Sequence, residues 1–186
     1  AAGIEPALVV GSSAGAIAGA LYASKIAATE IERRALDLGL TDIADPALMQ
    51  PNRLIGRALQ NFVNTAVNDR VIEQLPRRFC AVAAVLGKPE LVAFTSGNTG
   101  AAVRASAALP SMFLPTPIGG VTYEDGDLVS PVPIRIARQL GATRVVAVDV
   151  SAFLEDTPER APESWRKRDE ERRVIIDAEA KEADFM

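Results

Sequence analysis

Val9-Val10-Gly11-Ser12-Ser13-Ala14-Gly15 decides the fold: a strand ends in a tight turn and runs straight into a helix. Upstream, Ala7 to Val10 is a short apolar, β-branched run, the pattern of a buried strand. Downstream, Ala14-Gly15-Ala16-Ile17-Ala18-Gly19-Ala20-Leu21 predicts a helix made mostly of very small side chains. The turn between them, Gly11-x-Ser13-x-Gly15, has the spacing of a nucleophile elbow. In such a turn the central residue is held in a strained backbone conformation. Its neighbours two positions away must therefore lack side chains that would collide. Gly15 and Gly19 fall four residues apart on one helix face, which is expected to press close to a sheet. The helix N-terminus directs unpaired N–H groups at any negative charge that develops near Ser13. Ser13 is the candidate nucleophile.

A glycine- and alanine-rich strand–turn–helix also fits a generic βα junction or a phosphate loop. No Gly-Lys-Ser/Thr follows, so this is not a Walker A loop, and the Gly-x-Gly-x-x-Gly of dinucleotide folds is absent. The elbow needs a partner residue, and composition narrows the choice. A chain of 186 residues suits one domain with a sizeable core. At 48% hydrophobic and 24% charged, its composition is that of a globular protein. The net charge of −4 argues against a nucleic-acid partner, which calls for a basic stripe. Cys80 is the single cysteine, so no intramolecular disulfide can form; it lies in an apolar run and reads as core. No uninterrupted run of about eighteen apolar residues predicts a transmembrane segment. Histidine is absent altogether, which rules out a Ser-His-Asp triad or a histidine-ligated metal site within this chain. The base for Ser13 must be a carboxylate, a lysine or a group supplied in trans. No cofactor and no metal are expected.

Along the chain, Ala1 to Pro6 reads as the end of a helix with Gly3 at its C-cap, so the protein is expected to continue upstream. Ala27 to Leu38 predicts an amphipathic helix with Ile31, Ala35 and Leu38 on one side and Thr29 as its cap. Thr41 to Pro51 is a turn-rich connector, and Asn52 to Val67 predicts a second helix; the two helices are expected to cap the sheet. Phe79 to Leu86 and Leu91 to Phe94 predict two strands joined tightly through Gly87-Lys88-Pro89. Asn98 or Thr99 then caps a helix from Gly100 to Ala108, stopped by Pro110, in which Ser106 is expected to pack or back-bond. Ser111 to Pro117 is a proline-fixed loop presenting Met112, Phe113 and Leu114. Glu124-Asp125-Gly126-Asp127 is a turn; its carboxylates hint at calcium, but the full ligand loop is missing. Ile134 to Leu140 predicts a helix with Gly141 as cap, and Arg144 to Val150 a parallel core strand. Strand and helix alternate, which means a three-layer α/β fold. Glu155 to Ser164 reads as a linker. Trp165 to Glu182 predicts a charged helix expected to pack on the domain's edge, with attachment to a membrane surface as the second option.

Taken in order, several segments carry a resemblance: Gly11-Ser-Ser-Ala-Gly-Ala16, Ser96-Gly-Asn-Thr-Gly100, Arg104-Ala-Ser-Ala-Ala-Leu-Pro110, Asp125-Gly126 with Leu128-Val-Ser-Pro-Val-Pro133, and Gly141-Ala-Thr-Arg-Val-Val-Ala-Val-Asp149. Together they resemble the patatin-like phospholipase family, in its bacterial branch. The resemblance covers residues 1–151 and leaves 152–186 as a charged linker and C-terminal helix. It implies a three-layer α/β/α patatin-like fold with a mostly parallel central sheet. It also implies a serine hydrolase that cleaves acyl esters of lipids through a Ser–Asp dyad and an acyl-enzyme. Carried over by position, Ser13 is the nucleophile, Asp125 the base and the N–H of Ala14 an oxyanion donor. Gly11, Gly15 and Gly126 are the glycines of the elbow and of the base's turn. Under this resemblance, the functional alternative for Met112, Phe113 and Leu114 is contact with an acyl chain.

An aspartate base agrees with the absence of histidine. A carboxylate is a weak base at neutral pH, so burial or the neighbouring charge of Asp127 is expected to strengthen it. The sequence departs from the family pattern in two places. Asp127 stands where the family has glycine or alanine. The family's Gly-rich oxyanion loop and its strand would precede Ala1, so the domain reads as truncated at its N-terminus and the chain as given is expected to hydrolyse esters poorly. A non-catalytic patatin-like domain that binds a lipid or a partner is the alternative reading.

Overall fold

The computed structural model describes residues 5–39, 45–150 and 163–184. In chain order its elements are β1 (Leu8–Ser12), α1 (Ala14–Ala23), α2 (Ala28–Asp37), β2 (Pro46–Ala47), β3 (Gln50–Leu54), α3 (Arg57–Ala66), β4 (Arg78–Val85), β5 (Leu91–Phe94), α4 (Thr99–Ser106), β6 (Thr116–Ile118), β7 (Val121–Asp125), α5 (Ile134–Gln139) and α6 (Glu163–Asp184). Short 3-10 turns occupy Ile72–Gln74 and Gly126–Leu128.

β4 is the strand on which the rest is hung. From Phe79 to Val85 every side chain is buried, as expected of a strand covered on both faces. It pairs in parallel with β1 and antiparallel with β5 and β7, while β6 extends the sheet beyond β7. The fold is thus α/β, with a mixed central sheet flanked by helices. Alternation along β4 divides the core. Phe79 and Ala81 join Ala16 and Ala20 of α1, Leu59 and Val63 of α3 and Val103 of α4 in the larger cluster. Cys80 and Val82 face the other way, against Ile136 of α5.

Small residues set the spacing between layers. A Cβ added at Gly19 would lie 3.1 Å from both Phe79 and Val9, so α1 rests directly on the sheet. A Cβ at Gly100 would lie 2.3 Å from the Gln60 carbonyl, and the Gly100 N–H donates to Asn64 Oδ1 at 2.8 Å, so α3 and α4 meet almost backbone to backbone.

Several sequence expectations are corrected. α3 begins at Arg57, not Asn52, because Gly56 sits at φ +85° and breaks the pattern. Asp45, from outside the helix, accepts from the N–H groups of Gly56 and Ala58 at 2.8 and 2.9 Å and fixes the start there. Gln50–Leu54 pairs instead with Pro46–Ala47 in a small antiparallel sheet. The N-cap of α2 is Ala27 rather than Thr29, with no side-chain cap. α2 buries no residue, so of these two helices only α3 contributes to the core. Arg144 to Val150 forms no strand; Val146, Val148 and Val150 are 77%, 72% and 70% exposed. Nothing among the described residues offers that segment a ladder. The hairpin of β4 and β5, the Asn98 cap on α4 and the Gly141 turn after α5 stand where the sequence places them. α6 packs against α5 at the edge of the domain. No described helix is long and apolar enough to cross a membrane. The expectations for residues 1–4, 40–44 and 151–162 lie outside the described residues.

Candidate active site

Strand register brings the two candidate residues together. Val82 pairs with Ser12 on one side and Ala93 of β5 on the other; Ala83 pairs with Asp125 on one side and Val92 of β5 on the other. β1 and β7 therefore lie on the same side of β4. One runs parallel and the other antiparallel, so their C-terminal ends meet at adjacent β4 residues. Ser13 follows one end directly and Asp125 is the other. Residues 112 positions apart in sequence are thus joined by a hydrogen bond of 2.8 Å from Ser13 Oγ to Asp125 Oδ2.

Ser13 occupies φ 50°, ψ −122° at the N-cap of α1. For a residue with a Cβ such a conformation costs on the order of 1–3 kcal/mol and persists only when its surroundings enforce it. They do. The Ser13 N–H donates to Ser106 Oγ at 3.1 Å, and its carbonyl accepts from Ala16 and Ile17 at 2.9 and 3.3 Å. A serine at a helix N-cap ordinarily turns its oxygen onto the helix's own N–H groups. Here there is no such cap bond, and the hydroxyl points at Asp125 instead. The N–H groups of Ala14 and Gly15, which open α1, have no acceptor within the helix.

Asp125 is fully buried. Its Oδ2 accepts from Ser13 and its Oδ1 from the Asp127 N–H at 2.8 Å, while its own N–H donates to the Ala108 carbonyl at 3.1 Å. A buried carboxylate needs such partners, and these fix the orientation of both oxygens.

The three glycines play unequal parts. At Gly126 a Cβ would lie 2.2 Å from the Val82 carbonyl and 2.5 Å from Ser12 Oγ. At Gly11 it would lie 2.3 Å from the Gly15 carbonyl. Both positions require glycine. Gly15 does not: a Cβ there would meet nothing within 4 Å, because Gly15 is exposed and turned away from the sheet. The expected crowding at Gly15 is therefore absent, and of the α1 glycines only Gly19 presses on β strands.

Ser106, fully buried in α4, has a part that sequence reasoning missed. Its hydroxyl donates to the Val82 carbonyl at 2.5 Å while accepting from Ser13, so it ties the elbow to β4. Its place in Arg104-Ala-Ser-Ala-Ala-Leu-Pro110 was the available signal. The Ser12 hydroxyl is buried against Gly126 and makes no hydrogen bond among the described residues. Asp127 does not stand as a bare charge: Arg172 of α6 lies 3.3 Å from its Oδ2. Phe113 is buried in the main core, whereas Met112 is 42% exposed. An open groove of about 740 Å³ between α2 and α3, lined by Ile26, Arg34 and Phe62 among others, shares no residue with the Ser13–Asp125 pair.

A family model described as patatin-like phospholipase matches residues 1–138. Human patatin-like phospholipase domain-containing protein 6 is 29% identical over 159 residues, covering 81% of this chain and 12% of that protein. An uncharacterised NTE family protein of Mycobacterium tuberculosis is 30% identical over 146 residues, 77% of this chain and 40% of that protein. Mouse patatin-like phospholipase domain-containing protein 7 is 27% identical over 158 residues, again 12% of its length. The chain thus spans well under half the length of these relatives.

Proposed function

The chain belongs to the patatin-like phospholipase family, a family of lipid hydrolases, and on that premise we propose that it cleaves acyl esters of lipids through a Ser13–Asp125 dyad. The observation that carries the reading is the 2.8 Å hydrogen bond from Ser13 Oγ to a buried carboxylate, made from a strained N-cap at the end of a strand. In the first half-reaction Asp125 takes the Ser13 hydroxyl proton as Oγ attacks the ester carbonyl. The carbonyl oxygen becomes an oxyanion, stabilised by the N–H of Ala14 and the positive end of α1. Collapse of the tetrahedral intermediate breaks the ester C–O bond. The alcohol leaves with the proton held by Asp125, and the acyl group stays on Ser13. In the second half-reaction Asp125 takes a proton from water, the resulting hydroxide attacks the acyl-enzyme, and the fatty acid is released as Ser13 recovers its proton.

A fluorophosphonate probe tests this, because it traps a serine activated by its base. Peptide mapping is expected to place the adduct on Ser13, and Ser13→Ala to abolish both labelling and hydrolysis of a p-nitrophenyl acyl ester. Asp125→Asn is expected to reduce both by two orders of magnitude or more, since general-base catalysis contributes about 10²–10⁴-fold. Labelling that survives Ser13→Ala would refute the assignment. A folded protein that binds lipid vesicles but takes no label would favour the non-catalytic alternative.

A further inference from the structure

We propose that Arg172 of the C-terminal helix is a positioning residue for the base: it holds Asp127 and Asp149 together, and through Asp127 sets the orientation and charge surroundings of Asp125. The proposal rests on the reading of Asp125 as the base of Ser13.

The connection is short. The Asp127 N–H donates to Asp125 Oδ1 at 2.8 Å, so any shift of residue 127 moves the carboxylate that faces Ser13. The side chain of Asp127 is held in turn, with Oδ2 at 3.3 Å from Arg172 Nη1, while Arg172 Nη2 lies 3.7 Å from Asp149 Oδ1. All three side chains are largely withdrawn from solvent, at 18%, 14% and 29% exposure for Arg172, Asp127 and Asp149. Water screens such a group less than it does charges at an open surface. A second anchor lies seven residues along α6, on the same helix face, where Glu179 accepts a hydrogen bond from the buried Ser130 hydroxyl. The two anchors bracket the segment Gly126–Ser130, which directly follows the base. α6 is therefore fastened to the segment after the base at two points, Asp127 and Ser130.

The charges around this turn can be named. α6 supplies Arg172 and Glu179, the latter beside Arg135 of α5, and the segment after α5 supplies Asp149. From β4 comes Cys80, neutral because burial pushes its thiol up to about 12. α1 and α4 offer the hydroxyls of Ser13 and Ser106; Arg104 of α4 lies elsewhere, against Gly56 and Gln60. Glu124 of β7 accepts from Gly87 at the hairpin end. Arg172 is thus a cation set directly against the Asp127 carboxylate. Without it, a second carboxylate charge beside Asp125 would disfavour ionisation of the base.

The test is the pH dependence of fluorophosphonate labelling at Ser13, with circular dichroism as the check on folding. Arg172→Gln is expected to move the acid limb up by about one pH unit, which is about tenfold slower labelling below the limb. Arg172→Lys is expected to keep the limb near its original position. Adding Asp127→Asn to Arg172→Gln is expected to bring the limb back. A merely structural Arg172 would lower labelling equally at every pH and would not respond to Asp127→Asn; that result overturns the proposal. Should Arg172→Gln fail to fold, Asp127→Asn alone decides: it leaves Arg172 facing the base, so the limb must move to lower pH, and an unmoved limb overturns the proposal. Unmutated protein that takes no label at Ser13 overturns the dyad itself, and this proposal with it.

Discussion

One methyl group has opposite consequences at two glycines of the site. At Gly126 it would be driven into the Val82 carbonyl and Ser12 Oγ, both fixed by the sheet. Overpacking of this kind costs about 1–3 kcal/mol, and at 2–4 °C per kcal/mol for a chain of this size Gly126→Ala is expected to lower the thermal midpoint by several degrees. Labelling of Ser13 should slow with it, because Asp125 is the adjoining residue. At Gly15 the same methyl would enter open space on an exposed turn of α1, where alanine is favoured over glycine by about 0.5–1 kcal/mol. Gly15→Ala is accordingly expected to raise the midpoint by a few degrees, as a paired melting experiment would show. A fall on Gly15→Ala would mean that the elbow needs its second glycine after all. The contrast marks what was legible at this scale. The elbow spacing pointed to Ser13, the absence of histidine left a carboxylate, a lysine or a group in trans as its base, and the family resemblance alone singled out Asp125. Ser106 was not legible. A serine inside a helix usually bonds back to its own turn, and only the packing of α4 against Val82 and the N-cap of α1 turns its hydroxyl outward.

α6 shows how an element of unremarkable sequence acquires a specific seat. Its charges of both signs read as a solvated face, yet Glu179 is buried, with the Ser130 hydroxyl and the backbone N–H groups of Ile134 and Arg135 against it. Burial pushes the Glu179 carboxyl up from its ordinary 4.5, and outweighs the hydrogen bonds and the Arg135 charge that pull it down. An acid raised in the folded state holds its proton more tightly there than in the unfolded chain. The stability it contributes is present at low pH and is lost as pH rises from about 4.5 toward the raised folded value. The thermal midpoint of the unmutated protein is therefore expected to decline over that range relative to Glu179→Gln, which keeps a hydrogen-bonding group but cannot ionise. Parallel curves for the two proteins would show that the buried carboxyl is already charged at the low end. Other element boundaries were misread for similar reasons of context. Leu54 and Ile55 fit the helical spacing of α3, but Gly56 at φ +85° and the Asp45 cap exclude them. β4 and β5 were legible because a buried apolar run and a Gly-Lys-Pro turn admit few other structures.

At the scale of the molecule, β4 unites the layers and carries every other strand of the main sheet except β6, which pairs with β7. On one side of β4 lie β1 and, end to end with it, β7 with β6 beyond; on the other lies β5, and β1 pairs with β4 alone among the described residues. Arg144 to Val150 has the β-branched pattern of a buried strand but no ladder, and its valines at 146, 148 and 150 lie mostly in solvent. Pattern alone does not make a strand; a strand exists only where a neighbour accepts its backbone hydrogen bonds. Exposed β-branched backbone of this kind is a template for association with other chains. Replacing Val146, Val148 and Val150 together by threonine keeps the branched shape and removes apolar surface. At exposed positions such changes are worth no more than about 0.5 kcal/mol each, so the thermal midpoint is expected to stay within a few degrees. Light scattering of concentrated solutions, by contrast, should fall clearly below that of the unmutated protein. A loss of many degrees in the midpoint would show instead that these valines are packed in the folded protein in solution, and that the segment has found the partner its sequence calls for.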